Sequence, residues 1–213
     1  MKNISSTIPA SFLAVLVVTT SLLGTAPARA ELSPSPKVAA TQAALRDLWV
    51  GHVFWVRNVA VATMNKDAVA AKVAEAQVVA NAKQIAGAIE PFYGKPAGDK
   101  LFTLLAGHWG GIKAHIEATA KGDAKAQAAA LEQALKNGDE IATFLSDANP
   151  NLPKATLLAL LSAHVAHHAQ QNQQLHDKKY ADEAKTWDAM RGHMYVIADA
   201  LGDGIAKQFP AKF

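Results

Sequence analysis

The chain has 213 residues, half of them hydrophobic, and its 21 basic and 18 acidic side chains give a net charge of only +3. It contains no cysteine, which excludes disulfides, thiolate zinc sites, iron–sulfur clusters and covalent haem attachment. Basic residues are scattered among acidic ones and form no stripe with aromatic residues, so nothing indicates nucleic-acid binding.

The N-terminal segment, 1–30, has the pattern of a signal peptide. Lys2 precedes an apolar run from Phe12 to Leu23, and small residues before the end suit cleavage after Ala30. The run is shorter than the ~20 residues that span a bilayer, so we expect no stable membrane anchor after cleavage. We therefore expect residues 31–213 to be exported to the periplasm or the extracellular space, with a net charge of about +1.

Helical signals begin at Ser35 and Pro36, which are a typical helix cap and first-turn residue. The rest of the chain is rich in alanine, the residue with the highest helix propensity, and its apolar residues recur at helical spacing. The pattern predicts six helices, near 36–64, 68–91, 97–120, 124–147, 153–176 and 180–208.

Short polar breaks recur at a constant period, at 65–67, 121–123 and 177–179, and indicate tight turns. Loops with proline and asparagine, at 91–96 and 149–153, separate the resulting helical hairpins. We predict an all-α fold in one domain, 31–213: a six-helix bundle of three tandem αα-hairpin repeats with a period of 56, approximately 36–91, 97–147 and 153–208. A closed bundle is favoured over a solenoid, because so short a solenoid would leave apolar faces uncovered.

Polar residues recur at the same period on the apolar stripes. His52, His108 and His164 lie on the first helix of each predicted hairpin, and a second column contains Asn81, Asn137 and His193. In the first hairpin, His52 and Asn81 lie almost equally far along the chain before and after Lys66, the centre of the turn. Because every helical residue adds the same rise, ~1.5 Å, the two side chains of this pair are level across the hairpin.

Two interpretations of these columns stay open. In the structural one, each pair forms a buried His–Asn hydrogen bond that fixes helix register. In the other, His52, His108 and His164 meet at the axis of the closed bundle and bind zinc, copper, nickel or iron(II). Asn81 and Asn137 would then orient the rings, while His193 is a fourth ligand or another orienting group. His168, four residues after His164 on the same helix face, could join the ligands.

The predicted function is therefore an exported helical bundle that binds a divalent transition metal or another small ligand. The first alternative is a non-catalytic scaffold in which the His–Asn pairs only fix the register. The second is a metal-dependent enzyme of unknown substrate. We favour a non-enzymatic protein, because the sequence has no Glu-x-x-His, no His-Glu-x-x-His and no Gly-x-Ser-x-Gly motif.

Two further features stand near the histidine column. Gly110 and Gly111 align with the bulky Phe54 and Trp55 of the first unit, and we interpret them as a place where helices approach closely. A gap for a ligand is the alternative. Arg57 is expected to extend its charge to solvent along an apolar surface.

Three segments resemble a family of exported or soluble, all-helical bacterial proteins. They are the LWxxHVxWxR-like stretch from Leu48 to Arg57, the loop from Ala148 to Asn151, and the QFPxKF-like end from Gln208 to Phe213. The resemblance covers most of the mature chain and includes the histidine column. It implies a helical fold and the repeat, and it implies no activity or ligand.

Overall fold

The computed structural model describes residues 35–213, which form six α-helices and a short 3-10 helix. The helices are α1 (Pro36–Met64), α2 (Ala68–Tyr93), α3 (Lys95–Ala120), α4 (Ala124–Ala148), α5 (Lys154–His176) and α6 (Tyr180–Gln208), followed by the 3-10 helix (Pro210–Lys212). No strand occurs in this part of the chain, so the predicted all-α class is confirmed. The expected signal peptide, 1–30, and residues 31–34 lie outside the described residues.

Local hydrogen bonds determine where three of the helices begin. The Ser35 hydroxyl accepts a hydrogen bond from the Val38 amide at the start of α1, and Pro36 occupies the first turn. Asp67 and Asp123 precede α2 and α4, and each carboxylate accepts a hydrogen bond from the amide three residues later. These caps explain why the helix starts could be predicted closely from the sequence.

Three equivalent turns join α1 to α2, α3 to α4 and α5 to α6. Each contains one residue with positive φ, namely Lys66 at 59°, Gly122 at 68° and Lys178 at 58°. In the first turn the Asp67 amide donates to the carbonyl of Ala62 over 2.9 Å, which is the closing bond of a Schellman motif. The same bond recurs in the other two turns, so each helix pair has the same reversal.

The predicted loop at 91–96 is wrong in extent. The structure continues α2 through Pro91 to Tyr93 and starts α3 at Lys95, so only Gly94 separates the two helices. Gly94 has φ 82° and ψ 163°, a conformation that favours glycine. Pro91 lies in the last turn of α2, so the helical hydrogen bond that it cannot donate is lost only two residues before the helix ends.

The six helices close into a bundle. Each helix packs against the next one along the chain, and α6 packs back against α1. Helices α1, α3 and α5 also contact one another, so they form the inside of the bundle, with α2, α4 and α6 between them on the outside. None of the described helices combines the length and the apolar character needed to cross a bilayer.

Two apolar clusters fill the interior, one on each side of a polar level. On α1 the first cluster reaches Val53 and the second begins at Val56. On α3 the change occurs between Leu105 and Trp109, and on α5 it occurs after Leu161. The histidines at positions 52, 108 and 164 lie at these changes, so apolar packing holds the helices together above and below them.

Aromatic side chains close one end of the bundle. Phe92 contacts both Phe209 and Phe213, with ring centroids 5.7 Å apart in each case. The Tyr93 hydroxyl donates to the side chain of Gln208 and accepts from the buried amide of Asn149. The C-terminal segment therefore anchors the loop between α4 and α5 to the end of α2.

Candidate metal centre

Three inner helices bring four histidines together at the centre of the bundle. α1 contributes His52, α3 contributes His108, and α5 contributes both His164 and His168; all four are at most 6% exposed. The ring centre of His164 lies 5.7 Å from those of His52 and His108 and 4.5 Å from that of His168. We call these four residues the histidine cluster.

Helical periodicity explains why this cluster forms. His52 follows Trp49 by three residues and precedes Val56 by four, so it lies on the buried stripe of α1. His164 and His168 are four residues apart and therefore face the same side of α5. The apolar residues along each stripe pack into the interior, and the histidines are buried because they lie on the same helix face.

Several nitrogen atoms of the cluster are buried without a hydrogen-bond partner among residues 35–213. They are His52 Nδ1, both ring nitrogens of His108, both ring nitrogens of His164, and His168 Nε2. A buried polar group left unpaired costs about 1–3 kcal/mol, and folded proteins pair most of them. The polar cluster therefore carries a substantial stability cost, of the kind expected at a binding site.

Burial keeps the four rings uncharged. It lowers the pKa of His52 to about 3, with a further contribution from His108. It lowers the pKa of His108 to about 4, although the nearby Asn137 amide and Ala134 backbone partly oppose the shift. Burial and neighbouring histidines hold the pKa values of His164 and His168 well below the usual range. Each neutral ring has one nitrogen lone pair, the form in which imidazole binds metals.

Three members of the cluster have the arrangement of metal ligands. One ring nitrogen each from His52, His164 and His168 lies within 4.8 Å of the other two. Tetrahedral zinc with nitrogen ligands at ~2.1 Å needs nitrogen–nitrogen separations of roughly 3.4 Å. The ring nitrogens would therefore have to approach one another by at most about 1.4 Å to reach that separation. His108 is outside this group of three, although its ring packs on His164.

His193 lies apart from the cluster. Its Nε2 is 2.8 Å from the carbonyl oxygen of Leu160 on α5, and its ring neighbours that of His167 at 5.4 Å. A histidine whose Nε2 donates to a main-chain carbonyl fixes one helix against the next. The structure therefore gives no support to His193 as a fourth ligand.

The expected direct hydrogen bond between His52 and Asn81 does not form. Asn81 donates to the carbonyl oxygen of Leu48 over 3.0 Å, while its own side-chain oxygen is buried and unpaired. Asn137 makes a long contact of 3.5 Å with Glu140, and its side-chain oxygen is also unpaired. Asn81 does not orient the His52 ring by a hydrogen bond, because the Leu48 carbonyl on the adjacent helix is within easier reach. Asn137 lies close enough to His108 to influence its pKa.

Glycine makes room for these amides. A Cβ atom at Gly51 would lie 3.2 Å from Nδ2 of Asn81, and one at Gly107 would lie 3.0 Å from Nδ2 of Asn137. Both glycines immediately precede a histidine of the cluster. The close approach of outer to inner helices at this level thus depends on a missing side chain.

An internal cavity of about 50 Å³ adjoins the cluster. The rings of His52, His108 and His164 line it, together with Tyr93 and Trp49. The other lining side chains are aliphatic or aromatic and include Leu45, Leu101, Leu105, Ile141, Leu157 and Ile197. No charged residue of the described chain lines the cavity, so it favours an uncharged, apolar occupant.

A second buried polar group lies nearby and was not evident from sequence patterns. Glu183 at the start of α6 is 2% exposed, and Arg57 donates two hydrogen bonds of 2.7 Å to its carboxylate. Gln171 donates a third, over 3.0 Å. The expectation that Arg57 only extends its charge to solvent is wrong, because a buried carboxylate on another helix attracts it. No regular spacing in the sequence predicts that Arg57 on α1 pairs with Glu183 on α6.

Comparison with protein-family models, curated proteins and solved structures found no match to this chain. The geometry of the cluster is therefore the basis for a functional proposal.

Proposed function

We propose that this protein binds a transition-metal ion through His52, His164 and His168. The observation that carries the proposal is the approach of three buried, neutral imidazoles, with ring nitrogens within 4.8 Å of one another. Unpaired nitrogens on these rings provide the lone pairs, and a bound ion would remove much of their desolvation cost. Two ligands four residues apart on one helix are a common arrangement for binding a metal.

The ligand chemistry limits the choice of ion. Imidazole nitrogen suits zinc, copper, nickel and iron(II), whereas calcium and magnesium prefer oxygen ligands. No carboxylate of the described chain belongs to the group of three histidines. The role that we infer is metal binding by an exported, non-enzymatic protein.

We also propose that the bundle arose from three tandem copies of one helical hairpin. The positive-φ residues Lys66, Gly122 and Lys178 recur at the predicted period and lie in turns with the same hydrogen bond. The contacts of Asn81 with the Leu48 carbonyl and of His193 with the Leu160 carbonyl are related by two such periods. This supports an origin in which the first helix of each hairpin supplied one histidine to a common centre.

Those same two contacts favour a second candidate, a purely structural scaffold. Asn81 and His193 each attach an outer helix to a main-chain carbonyl of an inner helix. Such contacts fix helix register without any ligand. The scaffold does not account for the unpaired nitrogens of the cluster, and for this reason we place it second.

Metal titration separates the two candidates. Protein stripped with a chelator is titrated with Zn(II), Cu(I), Co(II) and Ni(II) by calorimetry, and metal content is measured after dialysis. We expect one ion per chain for the wild type and at least a tenfold loss of affinity in His164→Leu and His168→Leu. His193→Leu is the matched control, because it removes a histidine of the same bundle that lies outside the cluster.

The result that would overturn the metal proposal is either no binding by the wild type or equal binding by His164→Leu and wild type. Circular dichroism of each variant shows whether the fold is retained. In both cases the scaffold would become the preferred function.

Export is a separate proposal. We propose that residues 1–30 are removed as a signal peptide, on the basis of the apolar run and the small residues before Ala30. Mass spectrometry of protein recovered outside the cytoplasm should give a chain that starts at Glu31. A full-length mass in a cytoplasmic fraction would contradict the proposal.

A further inference from the structure

An ion held by the proposed ligand set would have one further coordination position, and two of its three ligands border the cavity. His52 and His164 belong both to the group of three nitrogens and to the cavity wall, whereas His168 belongs only to the group. An ion held by the three rings would therefore lie at the end of the cavity. Three protein ligands and one open position are typical of metal sites that bind a small molecule.

The cavity restricts what can occupy this position. Its volume of about 50 Å³ is about a third of the ~150 Å³ of an engineered apolar cavity that holds benzene. A ring compound is therefore too large, whereas a molecule of two or three atoms fits. The aliphatic lining offers few hydrogen-bond partners, so the polar groups of a larger metabolite would be left unpaired there.

We propose that the open position binds a small, uncharged molecule of two or three atoms, of the class of dioxygen, nitric oxide or carbon monoxide. This inference rests on the proposed metal site. The ligand's far end would occupy the apolar cavity between α1, α3 and α5, where aliphatic contacts exclude larger molecules.

His108 has a specific role in this arrangement. It lines the cavity, lies outside the group of three, and makes no hydrogen bond of ordinary geometry at either ring nitrogen. A neutral imidazole has one N–H group, which can donate a hydrogen bond to a molecule bound at the metal. His108 is therefore a ligand-positioning residue, and its loss should alter the bound molecule while leaving the metal in place.

The test measures metal and gas binding separately. Protein loaded with Cu(I) is exposed to carbon monoxide and followed by infrared spectroscopy, and protein loaded with Fe(II) is exposed to nitric oxide and followed by electron paramagnetic resonance. Metal content is determined in every sample. Xenon binding to metal-free protein, followed by xenon-129 resonance, tests the cavity without any metal.

Leu105→Phe is the informative variant, because Leu105 lines the cavity one turn before His108 and the larger ring would fill the space. Leu135→Phe is the control, because the same change at a 39% exposed position of α4 leaves the cavity intact. We expect one gas molecule per metal in the wild type, and at least tenfold weaker gas binding in Leu105→Phe at unchanged metal content. Xenon binding to the metal-free protein should be lost in Leu105→Phe and retained in Leu135→Phe. His108→Leu should keep its metal and shift the carbonyl stretch of the adduct.

Three outcomes would overturn the inference. Metal-loaded wild type that forms no adduct with either gas would show that the fourth position is closed, and the metal site itself would stand. Equal adducts in wild type and Leu105→Phe would place the gas outside the cavity, again without affecting the metal proposal. Protein that retains no metal at all would end both proposals, even if xenon still entered the cavity.

Discussion

Replacing a buried histidine by leucine is expected to stabilise the metal-free protein at His164. The ring is 1% exposed, and neither nitrogen has a partner within the described chain. Each unpaired nitrogen costs about 1–3 kcal/mol, so the wild type carries roughly 2–6 kcal/mol of unfavourable free energy at this side chain. Leucine has a similar volume, and a misfit in shape costs up to ~1.5 kcal/mol. The variant should therefore gain at least ~0.5 kcal/mol in free energy of unfolding.

The assay is urea denaturation at pH 8 with a chelator, where the cluster is neutral because burial lowers its pKa values. In thermal unfolding, the melting temperature should rise by roughly 2–4 °C for each kcal/mol of added unfolding free energy in a protein of this size. His115→Leu is the control, since its Nδ1 lies 3.0 Å from the Nδ2 of Asn172, which donates to it. Removing that ring leaves the buried amide of Asn172 unpaired, so the same substitution should destabilise by about 1–3 kcal/mol.

A loss of more than ~1 kcal/mol in metal-free His164→Leu would refute this reasoning. It would mean that the ring nitrogens are satisfied in solution, or that ring packing contributes more than the desolvation cost removes. Adding a stoichiometric metal that binds the wild type should reverse the order of stability, because only the wild type retains the full ligand set.

Three more results are expected. Histidines whose pKa is lowered in the folded state bind protons more readily when the protein is unfolded. Metal-free protein should therefore lose stability as the pH falls below about 6.5, by about 2 kcal/mol per cluster ring at pH 5. A stability that does not change with pH in acid denaturation would contradict this. Arg57→Leu removes the partner of the buried Glu183 carboxylate and should cost about 3–5 kcal/mol of unfolding free energy. Arg46→Leu breaks a more exposed pair with Asp199 and should cost much less. Equal losses of stability in urea would contradict this. Gly111→Ala would place a Cβ 3.0 Å from the backbone of α4 and should destabilise the protein. Gly110→Ala meets no neighbouring atom and should raise the melting temperature, because alanine has a higher helix propensity by ~1 kcal/mol. A gain in stability at both positions would exclude the close approach of α3 to α4.

The helices were predictable because their boundaries depend on local chemistry. Ser35, Asp67 and Asp123 act as caps through hydrogen bonds to residues three positions away, so the sequence contains all the partners. The loop at 91–96 was predicted too long because Pro91 suggested the end of a helix. Whether a proline ends a helix or lies in its last turn depends on how the next helix packs, which local sequence does not determine. The tandem repeat itself stays a prediction.

The candidate site was only partly predictable. Periodicity placed His52, His108 and His164 on inward faces, and the closed bundle brings their rings together. The proposed ligand group substitutes His168 for His108, which depends on ring orientation and not on spacing. The partners of the second column were missed because a side chain can reach a backbone carbonyl on a neighbouring helix wherever the two approach closely. Every residue has a main-chain carbonyl, so the sequence does not show which one accepts a given hydrogen bond.

The histidines lie between two separate apolar clusters, and this has a consequence for how a bound ion would enter and leave. Each cluster joins residues of α1 to α5, and the first also includes residues of α6. The middle of the bundle can then loosen to exchange its contents while both ends keep the chain folded. Loading and release would need only a local opening, so an emptied molecule remains ready to be refilled.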